Sequence, residues 1–329
     1  MTQTSSPATA FGRRIVLKSA ALGTLTLPGT ARATDFPSRP MKIVVPYSAG
    51  GTDTQYRKLA ELVGRKFGQP VIVENKPGGA GTAGIIQMAR TSRPDGYTIG
   101  ASTAPLLRQP HMQRVDYDPL SDLTWIAGLG SFTFVILVRK DSPFTTLREM
   151  LDWAKRNPGR LTYGTPGVSS SQFIAMADLS LTAGVDTLHV PYRGGGEINT
   201  AVLGGHTMVG VNTLAGIAGL DGNEVRALAC FDPERLPALP NLPTVREFGY
   251  DLVHTAPYGI VGPPGMDAAI VGRLQDAYGE AMHSDENRRL IATLHQSIWF
   301  RPAAAYREWA AAQFERERVL IHRLGIQRS

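Results

Sequence analysis

The chain alternates short runs rich in β-branched residues with longer segments whose apolar residues recur at helical spacing. Residues 41–45 predict a strand, and the apolar spacing over 56–67 predicts a helix that ends before Gly68. Further strands are predicted over 71–74, 97–101, 134–139, 161–164, 186–190, 208–212, 225–230 and 258–261. Further helices are predicted over 84–89, 147–156, 172–182, 197–203, 267–282, 286–293 and 303–324. This alternation favours an α/β fold with parallel strands and right-handed crossovers.

The length of the chain favours two lobes. It has 329 residues, and single cores seldom grow beyond about 250–300 residues. A stretch of small residues over 129–133 and a break over 253–257 are the predicted crossings between lobes. We therefore predict one lobe from residues 34–132 plus 256–329 and a second lobe from 133–255. Two crossings would make a hinged clamp with a central cleft.

The first 33 residues have the pattern of an export signal. Arg13 and Arg14 precede a short, weakly apolar run over 20–27, and a small-x-small cleavage pattern ends at Ala33. The adjacent arginines resemble a twin-arginine signal. A Sec signal and a plain N-terminal extension remain alternatives. We expect cleavage near Ala33 and a mature protein in the periplasm.

Charge and cysteine content narrow the function further. The 34 basic residues exceed the 28 acidic ones by six, but four of the basic residues lie in 1–33. The mature chain is therefore near neutral, which gives no reason to expect nucleic-acid binding. Cys230 is the single cysteine, so an internal disulfide is impossible and a Cys-based metal site is not expected. We predict that Cys230 is a core thiol at a strand end, and we predict no cofactor.

Four predicted strands are followed by loops rich in glycine or hydroxyl residues, each just before a helix. These loops cover 46–53, 75–84, 163–171 and 191–196. A helix N-terminus offers unpaired N–H donors and a partial positive charge, and ligands of open α/β sheets bind at the carboxyl ends of strands. The sequence therefore predicts an anion-binding cleft lined by both lobes. For Asp53, an N-cap is the alternative to a ligand contact.

The predicted anion site has two sides. Gly50, Gly51 and Thr52 form one side, and residues 169–171 form the other. Arg193 is a candidate ligand contact that could equally be a solvated rim residue. The full set of candidate ligand-binding residues is Tyr47, Ala49, Gly50, Gly51, Thr52, Asp53, Gly81, Thr82, Ser102, Thr103, Ser169, Ser170, Ser171, Gln172, Tyr192, Arg193 and Asn212.

Other chemistry finds little support in the sequence. Gly79, Gly81 and Gly84 match the spacing of a dinucleotide fingerprint, but no acidic residue follows the next predicted strand. No Gly-x-Ser-x-Gly elbow occurs. The seven histidines are scattered, without carboxylate partners nearby in sequence, and we interpret them as surface or packing residues. We predict no catalytic and no metal-ligating residue, although a triad assembled in space stays open.

A series of ordered motifs resembles one receptor family. They include Pro46-Tyr47-Ser48-Ala49-Gly50-Gly51, Pro94-Asp95-Gly96-Tyr97-Thr98, His189-Val190-Pro191-Tyr192-Arg193-Gly194-Gly195 and Leu239-Pro240-Asn241-Leu242-Pro243-Thr244-Val245. Over residues 36–325 the chain resembles the Bug-type receptors of tripartite tricarboxylate transporters. The resemblance implies a two-lobed, type II-like periplasmic-binding-protein fold, in which two mixed or parallel sheets are flanked by helices around a hinge and a central cleft.

The resemblance also implies a function. It predicts a monomeric, non-enzymatic solute-binding protein that takes a small carboxylate into the cleft and delivers it to the membrane subunits of a tripartite transporter. Thr54 stands where the family usually has Asp, and Asp53 comes one residue early, which weakens the case for an amino-acid ligand. A ligand-sensing partner of a membrane signalling protein and a secreted hydrolase are the alternatives. A dicarboxylate, an aromatic acid and an amino acid all remain open as ligands.

Overall fold

A computed structural model describes residues 36–47, 51–217, 220, 222–236 and 239–326 of the chain. They belong to one of the two units into which the chain divides, Phe36–Ser329. The predicted export signal over 1–33 lies outside the described residues, as do Ala49 and Gly50 of the predicted anion site.

The elements alternate along the chain as the hydrophobic pattern predicts. The strands are β1 Met41–Val45, β2 Val71–Asn75, β3 Thr98–Ser102, β4 Thr124–Phe132, β5 Phe134–Arg139, β6 Leu161–Thr165, β7 Thr187–Pro191, β8 Val209–Thr213, β9 Val225–Cys230, β10 Ala256–Gly262 and β11 Ser297–Pro302. The α-helices are α1 Gly51–Phe67, α2 Ala83–Thr91, α3 Pro105–Met112, α4 Leu147–Arg156, α5 Ser171–Ala183, α6 Gly195–Leu203, α7 Leu214–Ile217, α8 Ala268–His283, α9 Asp285–Leu294 and α10 Ala303–Arg323. Short 3₁₀ segments cover Gly79–Gly81 and Val245–Phe248.

The strands form two mixed sheets. The first sheet has the order β11-β4-β10-β3-β1-β2, and the second has the order β7-β6-β8-β5-β9. In the first sheet β1 is parallel to β2 and β3, whereas β10 is antiparallel to β3 and β4. In the second sheet β6 is parallel to β7 and β8, whereas β5 is antiparallel to β8 and β9.

The chain passes from the first sheet to the second and returns. The first sheet takes its strands from residues 41–132 and 256–302, and the second takes its strands from 134–230. One crossing therefore lies at Thr133 and the other between β9 and β10. The predicted pair of lobes, 34–132 plus 256–329 and 133–255, remains a prediction.

Both faces of the second sheet are covered, and β5 shows why. Ile136 and Val138 pack into one apolar cluster, while Val135 and Leu137 pack into another. Successive side chains of a strand point to opposite faces, so a continuous apolar strand needs helices on both sides.

The N-terminus of α4 is fixed by a capping box. The Thr146 hydroxyl accepts a hydrogen bond from the Glu149 amide, and the Glu149 side chain accepts one from the Thr146 amide.

Several sequence predictions are wrong. Residues 129–132, predicted as a flexible crossing, belong to the buried strand β4. The small residues of β4 leave room for large side chains that pack against the strand. At Gly128, for example, an added Cβ would lie 2.7 Å from the Trp299 ring. The helical C-terminal region contains β11, an edge strand that the pattern analysis missed. The sequence analysis also missed α3, which has Pro110 inside it.

Candidate functional site

The predicted loops lie where parallel strands end. In the first sheet β1, β2 and β3 lead to α1, α2 and α3, and in the second sheet β6 and β7 lead to α5 and α6. Because parallel neighbours end at the same edge, these loops share one edge of each sheet. The loop contacts determine which candidate residues come together.

Tyr47, Gly81 and Thr103 come together after β1, β2 and β3. Thr103 Oγ1 lies 3.5 Å from the Gly81 carbonyl oxygen, which accepts its hydrogen bond. A Cβ added to Gly81 would lie 2.6 Å from Tyr47 Oη. Burial raises the pKa of Tyr47, and a hydrogen bond with Thr103 and the charge of Arg108 offset that effect in part. The first sheet thus gathers three candidate residues in one cluster, with Arg108 nearby.

Thr82 and Ser102 are also buried, and their hydroxyls already have protein partners. Thr82 Oγ1 donates to the Gly79 carbonyl oxygen at 2.8 Å, and Gln109 Nε2 donates to the same oxygen at 2.5 Å. Ser102 Oγ and Tyr306 Oη share a hydrogen bond of 2.6 Å. Both hydroxyls therefore stabilise the frame of the site, and Gln109 and Tyr306 are supporting residues that the sequence analysis missed.

Asp53 is not the N-cap of α1. The helix begins at Gly51, two residues earlier, and this places Asp53 in its first turn. Asp53 is buried and accepts a hydrogen bond from Arg57 Nε at 2.7 Å, and Asn75 Nδ2 lies 3.3 Å from the same oxygen. An acid in the first turn is stabilised by the helix dipole. The N–H groups proposed at Gly50, Gly51 and Thr52 remain a prediction.

The loop over 166–171, here called the serine loop, is organised by hydroxyl groups. Ser170 Oγ accepts from the Phe173 amide at 3.1 Å as the N-cap of α5 and donates to the Gly167 carbonyl oxygen at 2.7 Å. The Ser170 amide also donates to Gly167, at 3.2 Å. By helix geometry, the amides of Ser171 and Gln172 have no partner within α5. These two amides, at the start of α5, are thus donors that can meet an anion.

Arg108 on α3 reaches the serine loop from the first sheet. Its Nη1 donates to the Ser169 carbonyl oxygen at 3.0 Å and to Ser171 Oγ at 3.2 Å. Its Nε and Nη2 donate to the Glu317 carboxylate on α10 at 2.7 and 2.8 Å. The side chains of Arg108 and Glu317 are 4% and 2% exposed. Burial acts to raise the pKa of Glu317, but the charge and hydrogen bonds of Arg108 outweigh burial and keep that pKa below its usual value.

The sequence analysis missed this ion pair, because it offered Arg193 as the candidate cation of the loops. Arg108 lies in a largely apolar segment, and its partner Glu317 is 209 positions further along the chain. A lone arginine inside an apolar run was the available signal, because such a charge is rarely buried without a partner. Pattern analysis has no means of naming that partner.

A second set of contacts joins α5 to α10. The buried Asp178 on α5 is hydrogen-bonded to His254 Nε2 at 2.8 Å and also to Arg323 on α10. Beside it, Ile174 of α5 packs with Ile321 of α10 in a buried apolar cluster that includes Met112 of α3. His254 therefore has a carboxylate partner, contrary to its interpretation as a surface or packing histidine.

His189 agrees with the packing interpretation. Its ring lies 5.1 Å from the Tyr163 ring and 4.7 Å from the Phe173 ring, measured between centroids. Its Nε2 lies 2.7 Å from Thr165 Oγ1, at the end of β6. Burial lowers the pKa of His189 to about 4, so the ring is neutral near pH 7.

The remaining candidates in the second sheet differ in their exposure. The Tyr192 amide donates to the Thr165 carbonyl oxygen at 2.9 Å, next to the serine loop. The Arg193 side chain is exposed. Asn212 is buried, and its Nδ2 donates to the Gly195 carbonyl oxygen at 3.1 Å and to Asn199 Oδ1 at 2.9 Å. Asn212 therefore holds the turn that begins α6.

Three other features of the described residues bear on a possible site. Within them, no three His, Cys, Asp or Glu side chains are grouped so as to hold a metal ion. None of the helices in that part of the chain combines the length and the apolar character needed to cross a bilayer. A cavity of about 710 Å³ lies beside α2, where Thr82, Gln109 and Tyr117 are among its lining residues.

Known proteins are similar to this chain in sequence and in fold. The model of the tripartite tricarboxylate transporter family receptor matches residues 55–326. The UPF0065 protein in the gbd 5′ region of Cupriavidus necator is 37% identical over 316 residues, which is 96% of each chain. The structure of the periplasmic binding protein BugD matches with a TM-score of 0.82 at 26% identity, over 89% of this chain and 100% of that one.

One further solved structure was obtained with a ligand. MatC of Rhodopseudomonas palustris with bound malate matches with a TM-score of 0.79 at 25% identity, over 87% of this chain and 100% of that one. Together with the two mixed sheets, these similarities confirm the predicted fold class, that of periplasmic binding proteins of the Bug type.

Proposed function

This chain belongs to the tripartite tricarboxylate transporter receptor family, and on that premise we propose that it is a periplasmic protein that captures a small organic acid by its carboxylate group. The family is one of solute-binding receptors rather than enzymes. The observation that carries the proposal is the junction at Arg108, where the Tyr47–Gly81–Thr103 cluster of one sheet lies near the serine loop of the other. The malate bound by MatC supports a carboxylate as the ligand class.

The proposed site holds the carboxylate mainly with backbone donors. Gly50, Gly51 and Thr52 at the start of α1 would form one side, and residues 169–171 would form the other. Charge-assisted hydrogen bonds to backbone N–H groups contribute about 1.5–3 kcal/mol each. Two or three of them, with apolar burial, reach about 8 kcal/mol, which corresponds to a micromolar dissociation constant.

The rest of the proposed pocket comes from side chains around that anion site. Thr82 and Ser102 support it from the first lobe, and Gln172 and Tyr192 shape it from the second. Arg108 adds no free charge, because Glu317 neutralises it at hydrogen-bond distance. This leaves the helix N-termini as the source of positive potential.

The proposal extends to export and delivery. Residues 1–33 would be removed during export, and the loaded protein would dock on the membrane subunits of a tripartite transporter. The family of the chain supports such a partner. N-terminal sequencing of the periplasmic protein should begin at or near Thr34, and an intact start at Met1 would contradict the processing step.

A thermal-shift screen tests the ligand class. Mono- and dicarboxylates, aromatic acids and amino acids are compared with their uncharged amides at millimolar concentration. Ligand binding raises stability by RT ln(1 + [L]/Kd), about 2.7 kcal/mol at 100 times Kd. At least one acid should raise the melting temperature while its amide leaves it unchanged. Equal shifts with acid and amide, or no shift with any acid, would refute the proposal.

A further inference from the structure

Arg108 divides its hydrogen bonds between two parts of the fold, α10 and the serine loop. Two of its nitrogens donate to Glu317 on α10, and the third, Nη1, donates to both Ser169 and Ser171. We propose that Arg108 and Glu317 form an interlobe latch, in which the pair positions the serine loop and favours the closed arrangement of the cleft. This inference rests on the proposed function, because the loop it positions is one side of the proposed anion site.

The geometry of the guanidinium supports a positioning role. The planar fork of an arginine matches a carboxylate with two parallel hydrogen bonds, which fixes its orientation. Nη1 is then aimed at the serine loop, where its two acceptors lie on either side of Ser170. The next amides, those of Ser171 and Gln172, are the first of α5. The latch therefore holds the loop directly before the donors that would meet the carboxylate.

The burial of Arg108 and Glu317 means that the two charged side chains have to stay together. Both side chains of the pair are almost completely buried, and a buried charge without its partner is strongly destabilising. Arg108 is therefore held to Glu317 and cannot follow the serine loop if the second lobe moves away. Opening of the cleft has to break the two Nη1 contacts, whereas the ion pair stays with the first lobe.

The contacts of α5 with α10 reinforce the same junction. Asp178 with Arg323, and Ile174 with Ile321, join the second-lobe helix to the end of the helix that carries Glu317. The serine loop leads directly into α5, so α10 contacts both the loop, through Arg108, and the helix that follows it. Closure of the cleft is thereby coupled to α10.

The test measures the interlobe distance without any ligand. Spin labels are attached to cysteines introduced at two exposed positions, Arg93→Cys in the first lobe and Lys155→Cys in the second. Cys230 stays unlabelled, because it is buried and burial raises the pKa of its thiol to about 11. The double variant Arg108→Met with Glu317→Leu removes the latch, and replacement of a buried ion pair by apolar residues is often neutral for folding.

We expect the double variant to lose the short-distance population of the wild type while keeping its melting temperature. Ser171→Ala, which removes one Nη1 contact, should shift the population less, and Arg108→Lys, which keeps the charge without the fork, should lie between them. If the double variant does not fold, these two single variants decide the question with the same measurement. Distance distributions identical to wild type in all folded variants would overturn the latch.

A second experiment, which measures ligand binding, distinguishes a failure of the latch from a failure of the proposed function. Malate, adipate and benzoate are titrated against the wild type and the variants by calorimetry. Loss of two charge-assisted hydrogen bonds to the serine loop should raise the dissociation constant of a bound acid about tenfold in the double variant. A wild type that binds no acid refutes the proposed function, while the distance measurement still decides the latch. Unchanged affinity in a double variant with an altered distance would overturn the positioning role.

Discussion

Two loops of the proposed cleft, residues 78–81 and the serine loop, owe their conformations to different interactions. Residues 78–81, between β2 and α2, all have positive φ: 138° at Gly78, 55° at Gly79, 51° at Ala80 and 97° at Gly81. The serine loop instead depends on hydroxyl groups, with Ser170 at its centre and Arg108 at its edge. The turn over 78–81, here called the glycine turn, therefore depends on four consecutive residues at positive φ. The serine loop has one such residue, Gly167, and depends mainly on hydrogen bonds that can be removed one at a time.

This difference determines how each loop responds to substitution. A side chain added in the glycine turn strains the backbone itself, since L residues rarely adopt positive φ. A hydroxyl removed from the serine loop leaves the backbone allowed and costs one hydrogen bond. Substitutions in the glycine turn should consequently have larger effects than serine substitutions in the serine loop.

The largest expected effect is on binding, at the start of α1. Gly51→Val should weaken carboxylate binding by about 3 kcal/mol, because the added side chain keeps the anion from two charge-assisted backbone donors. Gly272→Val, also within a helix, is the matched control, since an added Cβ there meets nothing within 4 Å. Calorimetry with an acid from the thermal-shift screen measures both. If a folded Gly51→Val variant binds the acid as tightly as the wild type, the anion site lies elsewhere.

A matched pair of glycines sharpens the comparison of the two loops. Gly81 and Gly167 both have φ of 97°, but a Cβ at Gly81 would lie 2.6 Å from Tyr47 Oη, whereas a Cβ at Gly167 meets nothing within 4 Å. Gly167→Ala should cost about 1 kcal/mol of unfolding free energy through strain alone. Gly81→Ala should cost about 3 kcal/mol, because overpacking is added to the strain. Urea unfolding compares the two, and equal losses would mean that the Tyr47 contact gives way freely.

Ser170→Ala should lower stability less than Gly81→Ala does. Loss of its N-cap on α5 should lower the unfolding free energy by about 1 kcal/mol. Ser284 caps α9 in the same way, by accepting from the Asn287 amide, and Ser284→Ala is the control away from the cleft. Both variants should lose similar stability, while only Ser170→Ala should also weaken binding. Equal affinities in the two variants would show that ligand binding does not depend on the Ser170 hydroxyl.

The smallest net effect in the wild type is expected in the pH dependence of stability, where His189 in β7 and Asp232 after β9 contribute with opposite signs. Burial lowers the pKa of His189 from 6.5 to about 4, so its contribution is fully present above pH 6.5 and is lost as the pH falls towards 4. Burial raises the pKa of Asp232 from 3.8 to about 6, with a Thr133 hydrogen bond in opposition, so its contribution grows as the pH falls from 6 towards 3.8. The two contributions therefore partly cancel in the wild type.

Urea unfolding of single variants between pH 4 and pH 7 should show the separate contributions of His189 and Asp232 to the unfolding free energy. Relative to the wild type, His189→Gln should gain stability as the pH falls, because the loss caused by histidine protonation is removed. Asp232→Asn should lose stability over the same range, because the gain from carboxyl protonation is removed. Parallel pH profiles for wild type and both variants would contradict these assignments.

Much of the fold could be predicted from the sequence, for reasons visible in particular elements. The bounds of β5, α4 and β9 match their predictions, because continuous apolar runs and a capping box are local signals. In β4, glycine and other small residues hide the strand, and they are small because aromatic rings from distant segments pack against them. An edge strand such as β11, which is half exposed, has no continuous apolar run to reveal it.

For the candidate site, the strand-to-helix loops could be located, but their contacts could not. Ser170 is a recognisable N-cap signal, and the sequence placed it correctly before a helix. The partners Arg108 and Glu317 lie on helices whose proximity is set by tertiary packing. Which donors are left for a ligand depends on such distant partners, and no local pattern contains them.

The return of the chain to its first sheet constrains the order in which the protein can fold during synthesis. β10 pairs with β3 and β4, so Gly259 meets Ser102, and β11 completes the far edge. The second sheet, by contrast, is drawn from one continuous segment. Contacts between distant positions form slowly, because a long loop must close first. The second sheet can therefore assemble as soon as its segment leaves the ribosome, while β3 and β4 wait for the strand that belongs between them.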